Sequence, residues 1–375
     1  MNMAYFEING LPMRGSIEGF EPTVSLSLEK GRGLSVLSDD GKLAKALLDA
    51  ITGHGQFLGE IYLNGMRIDQ LASRKRPIRI LGDTPGIIPN KSVRENMDLA
   101  LKDSAYSDGE RAMLVEREFA EGALSGLAES RAGALDFSGK TILAATRSLF
   151  LGCDLLIITD LPVPTNGDEL RTFNPGAQLD TLLALKNLFR RLRATWLSFL
   201  TDSACVPILS DRIAIFSGGT LVQEGGLREC INAPVSRMVA DYLTFPRMNY
   251  RKMLIERDGP FIMLRSGRYG FRVSEYIKRA MAPREGEEVI LGVRPEDLGV
   301  RPYETGDPTV LNLAKIIGVD FLPANILLRL DLEGEEWISV VERNRPVFQG
   351  QLVELRPDPD RIHLFHPAHH TSLLD

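Results

Sequence analysis

The sequence is poor in the residues that most often announce chemistry. Cysteine occurs only at Cys153, Cys205 and Cys230, without metal-ligand spacing, and so sparse and odd a set fits a reducing compartment. Histidine occurs five times, and none lies between His54 and His363. There is no run of about 18 apolar residues, so no transmembrane helix is expected. The opening MNMAYFEING lacks a basic stretch followed by a long apolar one, so no signal peptide is expected. Low-complexity segments and short repeats are missing. Positive charge is not in excess either: the net charge is −6, so the whole molecule is not built to coat nucleic acid, although local basic patches stay open. Together these absences point to a cytoplasmic protein with no nucleic-acid partner.

What is present is an ordinary globular composition, 44% hydrophobic and 25% charged, over 375 residues, enough for two or three domains. The first two-thirds alternate short apolar runs with helical patterns. LSVL precedes an amphipathic stretch over 42–51, GEIYLNG and PIRIL read as strands, and 92–131 is helical in pattern, opened by Ser92 as an N-cap with Glu95 three residues on. DLLIITD and TWLSFLTD read as buried strands with a long helix, QLDTLLALKNLFRRLRA, between them. Such alternation implies a parallel sheet with covered faces. RIAIFSGGTLVQEGG reads as a hairpin around Gly218-Gly219. After FPRMNYRKM the texture becomes short strands between Gly, Pro and Asp turns, as in a small β-barrel or sandwich. The expected division is 1–245 and 246–375.

The segment Leu34–Gly53 has the outline of a phosphate-binding loop between a strand and a helix. A working loop reads G-x-x-x-x-G-K-[ST]. Here Val36 takes the first glycine position, Asp39 and Asp40 line the turn, Gly41-Lys42 remain, and Leu43 stands where a Mg²⁺-binding hydroxyl belongs. A helix N-terminus attracts negative charge, and the two aspartates can meet it as caps in place of a phosphate.

Several landmarks in one order then carry a resemblance. GEIYLNG, IIPNKSVRENMDLALK, GGTLVQEGGLRECINAPVSRMVADYLTFPRMNY, LGVRPEDL and DPDRIHLF resemble, across nearly the whole chain, the ATPase subunit of ATP-binding-cassette importers of the sugar and polyol type, the family of the maltose-importer ATPase. The resemblance implies a P-loop α/β domain over 1–245 with a helical subdomain over about 84–150, and an OB-like all-β regulatory barrel over 246–375. It implies ATP and Mg²⁺ as cofactors, and as partners a second ATPase subunit, two integral-membrane permease subunits and, indirectly, a periplasmic or extracellular solute-binding protein. It implies a peripheral location at the cytoplasmic face of the cell membrane.

Carried over position by position, the nucleotide-binding residues are Ser38, Gly41, Lys42, Leu43 and, at the Q-loop, Asp83. Lys42 can still meet a phosphate as a point charge. Asp160 falls at the Walker-B acid, a possible Mg²⁺ ligand, and Leu161 at the catalytic glutamate; the other register puts Thr159 and Asp160 there. A leucine cannot polarise water, and such general-base help is typically worth ~10²–10⁴-fold. Thr201 stands at the switch histidine, and with no histidine between 54 and 363 no shift of register restores it. Leu135, Asp136, Ser138 and Gly139 occupy the signature, with Asp136 replacing the serine that meets the opposing γ-phosphate. Met13 takes the place of the adenine-stacking aromatic, and Phe20 lies too far along to replace it. Ile87, Ile88, Pro89 and Val93 lie where the family cups the permease. His363, His366, His369 and His370 end the chain without a role assigned to them. The expected function is a degenerate, hydrolysis-impaired subunit paired with an intact ATPase. A non-transport regulatory or binding protein and a slow but genuine ATPase remain as alternatives.

Overall fold

The computed structural model describes residues 4–12, 23–38, 41–54, 59–82, 86–159, 175–199, 206–209, 211–244, 246–303, 312–322 and 324–374, and every absence noted below refers to these. The chain forms two compact units, Met1–Leu227 and Arg228–Asp375.

The first unit carries, in chain order, β1 (Phe6–Pro12), β2 (Thr23–Leu28), β3 (Gly33–Ser38), α1 (Gly41–Thr52), β4 (Glu60–Leu63), β5 (Met66–Arg67), β6 (Ile78–Leu81), α2 (Val93–Leu101), α3 (Asp108–Glu121), α4 (Phe137–Phe150), β7 (Leu155–Ile158), α5 (Pro175–Arg191), β8 (Trp196–Phe199), α6 (Val206–Leu209), β9 (Arg212–Ser217) and β10 (Thr220–Gly226). Its main sheet has the order β10-β9-β3-β8-β7-β6, with all pairs parallel except the β9–β10 hairpin. β3, β7 and β8 are interior strands, and their near-continuous apolar runs follow from burial on both faces. A smaller antiparallel sheet, β2-β1-β4-β5, shares a core with α1 and the main sheet.

Two local solutions fix this unit. Gly33 lies under the Trp196 indole, where a Cβ would stand 1.9 Å from a ring carbon, so β3 accepts no side chain there. Trp196 in turn meets Phe189 of α5 at 5.0 Å between centroids. At the end of α1 the carbonyls of Ala50 and Ile51 accept from buried Arg76 at 2.6 Å each, and its other nitrogens donate to Asp69 and Leu71 carbonyls. One arginine thus satisfies helix-end acceptors that water would otherwise reach.

The helical pattern over 92–131 resolves into two helices. Ser107 and Glu110 form a second capping box that starts α3 after a break, and Gly122 closes it. Arg191 of α5 pairs with Glu118, a buried carboxylate of α3, which ties α3 to α5.

The second unit adds α7 (Leu227–Asn232), which begins at the division, then α8 (Arg237–Leu243), β11 (Asn249–Asp258), β12 (Phe261–Ser266), β13 (Tyr269–Arg272), α9 (Glu275–Met281), β14 (Glu288–Val293), β15 (Leu298–Pro302), β16 (Leu313–Phe321), β17 (Asn325–Leu332), β18 (Glu335–Glu342), β19 (Leu352–Pro357) and β20 (His363–Phe365). Two five-stranded antiparallel sheets, β13-β12-β11-β14-β20 and β15-β19-β16-β17-β18, enclose one core. The order of an α/β region with a parallel sheet followed by an all-β region is the one expected from sequence. α9, opened by a Ser274 cap, had no periodic signal long enough to announce it.

Buried polar groups tie the two sheets together. Asn249 donates to the carbonyls of Val293 and Ile338 and accepts from the Ile338 N–H, so one amide links β11, β14 and β18. Asp297, 5% exposed, accepts from Arg361 at 2.7 Å, and its carbonyl accepts the Asp358 N–H. The segments LGVRPEDL and DPDRIHLF, distant in sequence, therefore meet. Buried Arg294 donates to the Ile231 carbonyl and stands beside His363. Burial, and then the Arg294 charge, push His363 down from 6.5 to about 4.

The sign of the consequence is fixed. A histidine whose folded pKa is depressed stabilises the fold above its unfolded pKa and stops doing so as pH falls. The contribution of His363 should be full above pH 6.5 and lost between 6.5 and about 4. The Asp297 carboxyl, raised by burial, acts with opposite sign, so the comparison must be with His363→Phe. We expect wild type to lose about 2–3 kcal/mol more than His363→Phe between pH 7 and 4, read from urea midpoints. Parallel pH profiles for the two proteins would show that His363 is charged in the fold.

Candidate functional site

All parallel strands of the main sheet point their carboxyl ends one way. In such sheets ligands bind outside those ends, where neighbouring strands diverge. Ser38 ends β3, Gly82 follows β6, Thr159 follows β7 and Phe199 ends β8. Gly82 and Thr159 come close enough that a Cβ on Gly82 would stand 2.6 Å from the Thr159 hydroxyl. The sequence-expected residues Asp83, Asp160, Leu161 and Thr201 lie outside the described residues, as do Asp39, Asp40, Met13 and Phe20.

The described part of the loop is the junction of β3 with α1. Gly41 opens the helix, and Lys42 is exposed at its first turn. That placement suits a phosphate: a cation at the positive end of a helix dipole. Leu43 does the opposite. It is 1% exposed and packs with Leu34, Val36, Leu47 and Ile51 in the core. The position that the resemblance would assign to a Mg²⁺-binding hydroxyl is a core leucine, a side chain that offers no ligand to the ion. Among them no group of three or more His, Cys, Asp or Glu side chains is arranged for a metal.

The signature-like segment is fully described. Leu135 is buried, and Asp136 is the N-cap of α4: its Oδ1 accepts the Gly139 N–H at 2.7 Å. The start of α4 is thus closed by the chain's own carboxylate. Gly139 sits close beneath the cap: a Cβ there would stand 3.1 Å from that same oxygen. The Ser138 hydroxyl accepts from Thr181 of α5 at 2.9 Å. These residues therefore hold each other.

The four expected docking residues separate. Ile88 and Pro89 are exposed and Ile87 is half-buried, whereas Val93 is 0% exposed. Val93 starts α2 and belongs to the interior, so it supports that surface from beneath without being part of it. The Ser92–Glu95 capping box expected from sequence is present. Sequence reasoning missed two residues behind it. Asn96, 0% exposed, accepts the Ile88 N–H at 2.8 Å and donates to the carbonyls of Ile88 and Ser92. Arg147 of α4 donates to the carbonyls of Gly86 and Asn96 at 2.9 and 2.7 Å. A buried polar residue inside an amphipathic helix was the one available signal.

The C-terminal histidines do not gather. His363 is buried in β20, while His366 stacks on His369 and accepts the Ala368 and His369 N–H groups with Nδ1.

Comparison with known proteins gives similarity along most of the chain. No protein-family model matches it. It is 26% identical over 343 residues to the sn-glycerol-3-phosphate import ATP-binding protein UgpC 1 of Rhizobium johnstonii, spanning 91% of this chain and 89% of that protein. UgpC 2 of Agrobacterium fabrum is 25% identical over 346 residues, spanning 92% and 88%. UgpC of Escherichia coli is 24% identical over 344 residues, spanning 91% and 92%. Among solved structures, cbiO1 from Clostridium perfringens, part of the ABC transporter complex cbiONQ, superposes with a TM-score of 0.48 at 17% identity, covering 61% of this chain and 94% of that one.

The cap has a measurable role. With Trp337 replaced by Phe, Trp196 reports the first unit alone. In that background Asp136→Ala should lower its stability by about 1 kcal/mol, while Asp136→Ser, which can still cap, should stay within a few tenths. A urea midpoint for Asp136→Ala equal to its parent would remove the cap from the account.

Proposed function

We propose that this chain is the ATP-binding-cassette subunit of an importer for glycerol 3-phosphate, a sugar or a related polyol, and that it works as the hydrolysis-impaired partner of an intact second ATPase subunit. Two integral-membrane permeases and an external solute-binding protein complete the assembly, which holds the chain at the cytoplasmic face of the membrane. The observation that carries the reading is the extent of the similarity: it runs through both units, over 91% of this chain and 89% of an import ATP-binding protein. The impairment is supported by Leu43 in the core, by Asp136 on its own helix end, and by Leu161 and Thr201 in the sequence. ATP and Mg²⁺ are held weakly or not at all by this chain's own loop, with Lys42 the one described side chain suited to a phosphate.

Purified chain with ATP and Mg²⁺ should release phosphate at background rate. Leu161→Glu alone should not change this, because the restored base would act on a nucleotide whose metal is not held, and groups that act as a unit are strongly non-additive. Turnover above ~1 s⁻¹, lost in Lys42→Ala, would overturn the proposal of impairment.

The division of labour is tested in reconstituted uptake. Hydrolysis belongs to the site built on the partner's phosphate loop, so Lys42→Ala should leave transport nearly intact. Removing the partner's catalytic glutamate should stop it, and so should Ile87→Asp combined with Ile88→Asp. Equal loss with Lys42→Ala and with the partner's glutamate variant would show that this chain's own site is energetically active.

A further inference from the structure

The segment 86–92 has no regular structure, yet it is fastened from three directions. From α2, Asn96 grips Ile88 by both backbone groups, accepting its N–H and donating to its carbonyl, and holds Ser92 as well. From α4, Arg147 spans the Gly86 carbonyl and the Asn96 carbonyl with one guanidinium. On the remaining side the turn before the signature-like segment pairs with it: the Gly133 N–H donates to Pro89 at 3.0 Å and the Ala132 N–H to Lys91 at 2.9 Å. The approach is close enough that a Cβ on Gly133 would stand 3.1 Å from the Pro89 oxygen.

The expense of this arrangement argues for a purpose beyond stability. Asn96 is wholly buried, and an apolar residue of similar volume would satisfy the interior of α2 without a polar group to desolvate. Burial holds the Arg147 pKa below the ordinary arginine value, the mark of a guanidinium partly withdrawn from water. What these two side chains secure is an irregular stretch whose own exposed residues, Ile88 and Pro89, face outward. Its far side is hydrogen-bonded to the turn that leads through Leu135 into the Asp136 cap.

We propose that Asn96 and Arg147 are positioning residues that lock residues 86–92 to the start of α4, so that the Ile88–Pro89 edge and the Asp136-capped helix end move as one body. The lock acts on a partner seated at that edge, and in this respect it rests on the permease-docking reading above. Neither side chain touches the partner. Each works through the backbone it holds.

The test uses the full-length chain in two settings. In the purified protein, the Ile88 amide, whose acceptor is the Asn96 side chain, should exchange with solvent roughly tenfold or more faster in Asn96→Leu, with α1 and the main sheet unchanged. Arg147→Lys keeps the charge but cannot span two carbonyls, and should speed exchange across 86–92 to a lesser degree. In cells, both variants should still co-purify with the permeases but lose most uptake. Should Asn96→Leu fail to fold, Arg147→Lys carries the same test from a half-buried site. Unchanged exchange at 86–92 in Arg147→Lys would overturn the lock, and faster exchange with normal uptake would overturn its role in transport. Failure of the wild-type chain to co-purify with permeases would overturn the docking reading, and this inference with it.

Discussion

A helix start leaves backbone N–H groups without partners, and something rich in electrons must meet them. In a nucleotide-binding protein that something can be phosphate. In this chain it is the chain itself. Ser92 with Glu95 closes α2, Ser107 with Glu110 closes α3 and Asp136 closes α4. The last of these matters most, because a carboxylate both satisfies the donors and repels the anion that would compete for them. A helix end neutralised internally attracts a further anion less strongly.

The loop at β3 shows the same conversion through packing. A P-loop divides its residues between a face that meets ligand and a face that meets the sheet. Leu43 has moved to the second group: with Leu47 and Ile51 it forms the buried stripe of α1, and burying such a side chain is worth about 1.5–3 kcal/mol. A leucine at this position therefore adds to the core. Lys42, on the solvent side, was free to remain.

Strands were legible because burial on two faces demands long apolar runs, and LLII and WLSF can scarcely be read otherwise. The hairpin at Gly218-Gly219 and the Ser92–Glu95 box were legible because turns and caps depend on neighbours in sequence. Interactions across the fold were not. Nothing in the sequence relates Arg361 to Asp297, or Arg147 to the carbonyl of Gly86, since each pairing exists only after the elements have assembled. The break between α2 and α3 was missed for a different reason: helical periodicity continues across it, and the Ser107 cap shows only when the exposed turn before it is known. Asn96 was overlooked as one polar residue in a helix that has many.

These hidden interactions explain where the resemblance to import ATPases was readable. The stretches that carried it, IIPNKSVRENMDLALK, LGVRPEDL and DPDRIHLF, contain Asn96, Arg294, Asp297, Arg361 and His363. Asn96 and Arg294 hold backbone groups, and Arg361 holds the buried Asp297 carboxylate. A buried polar residue with several partners tolerates little change, because replacing it strands every group it satisfied, at roughly 1–3 kcal/mol apiece. Interlocking polar residues of this kind leave a pattern that can be read along the chain, while Leu43 serves the core and Asp136 a helix cap.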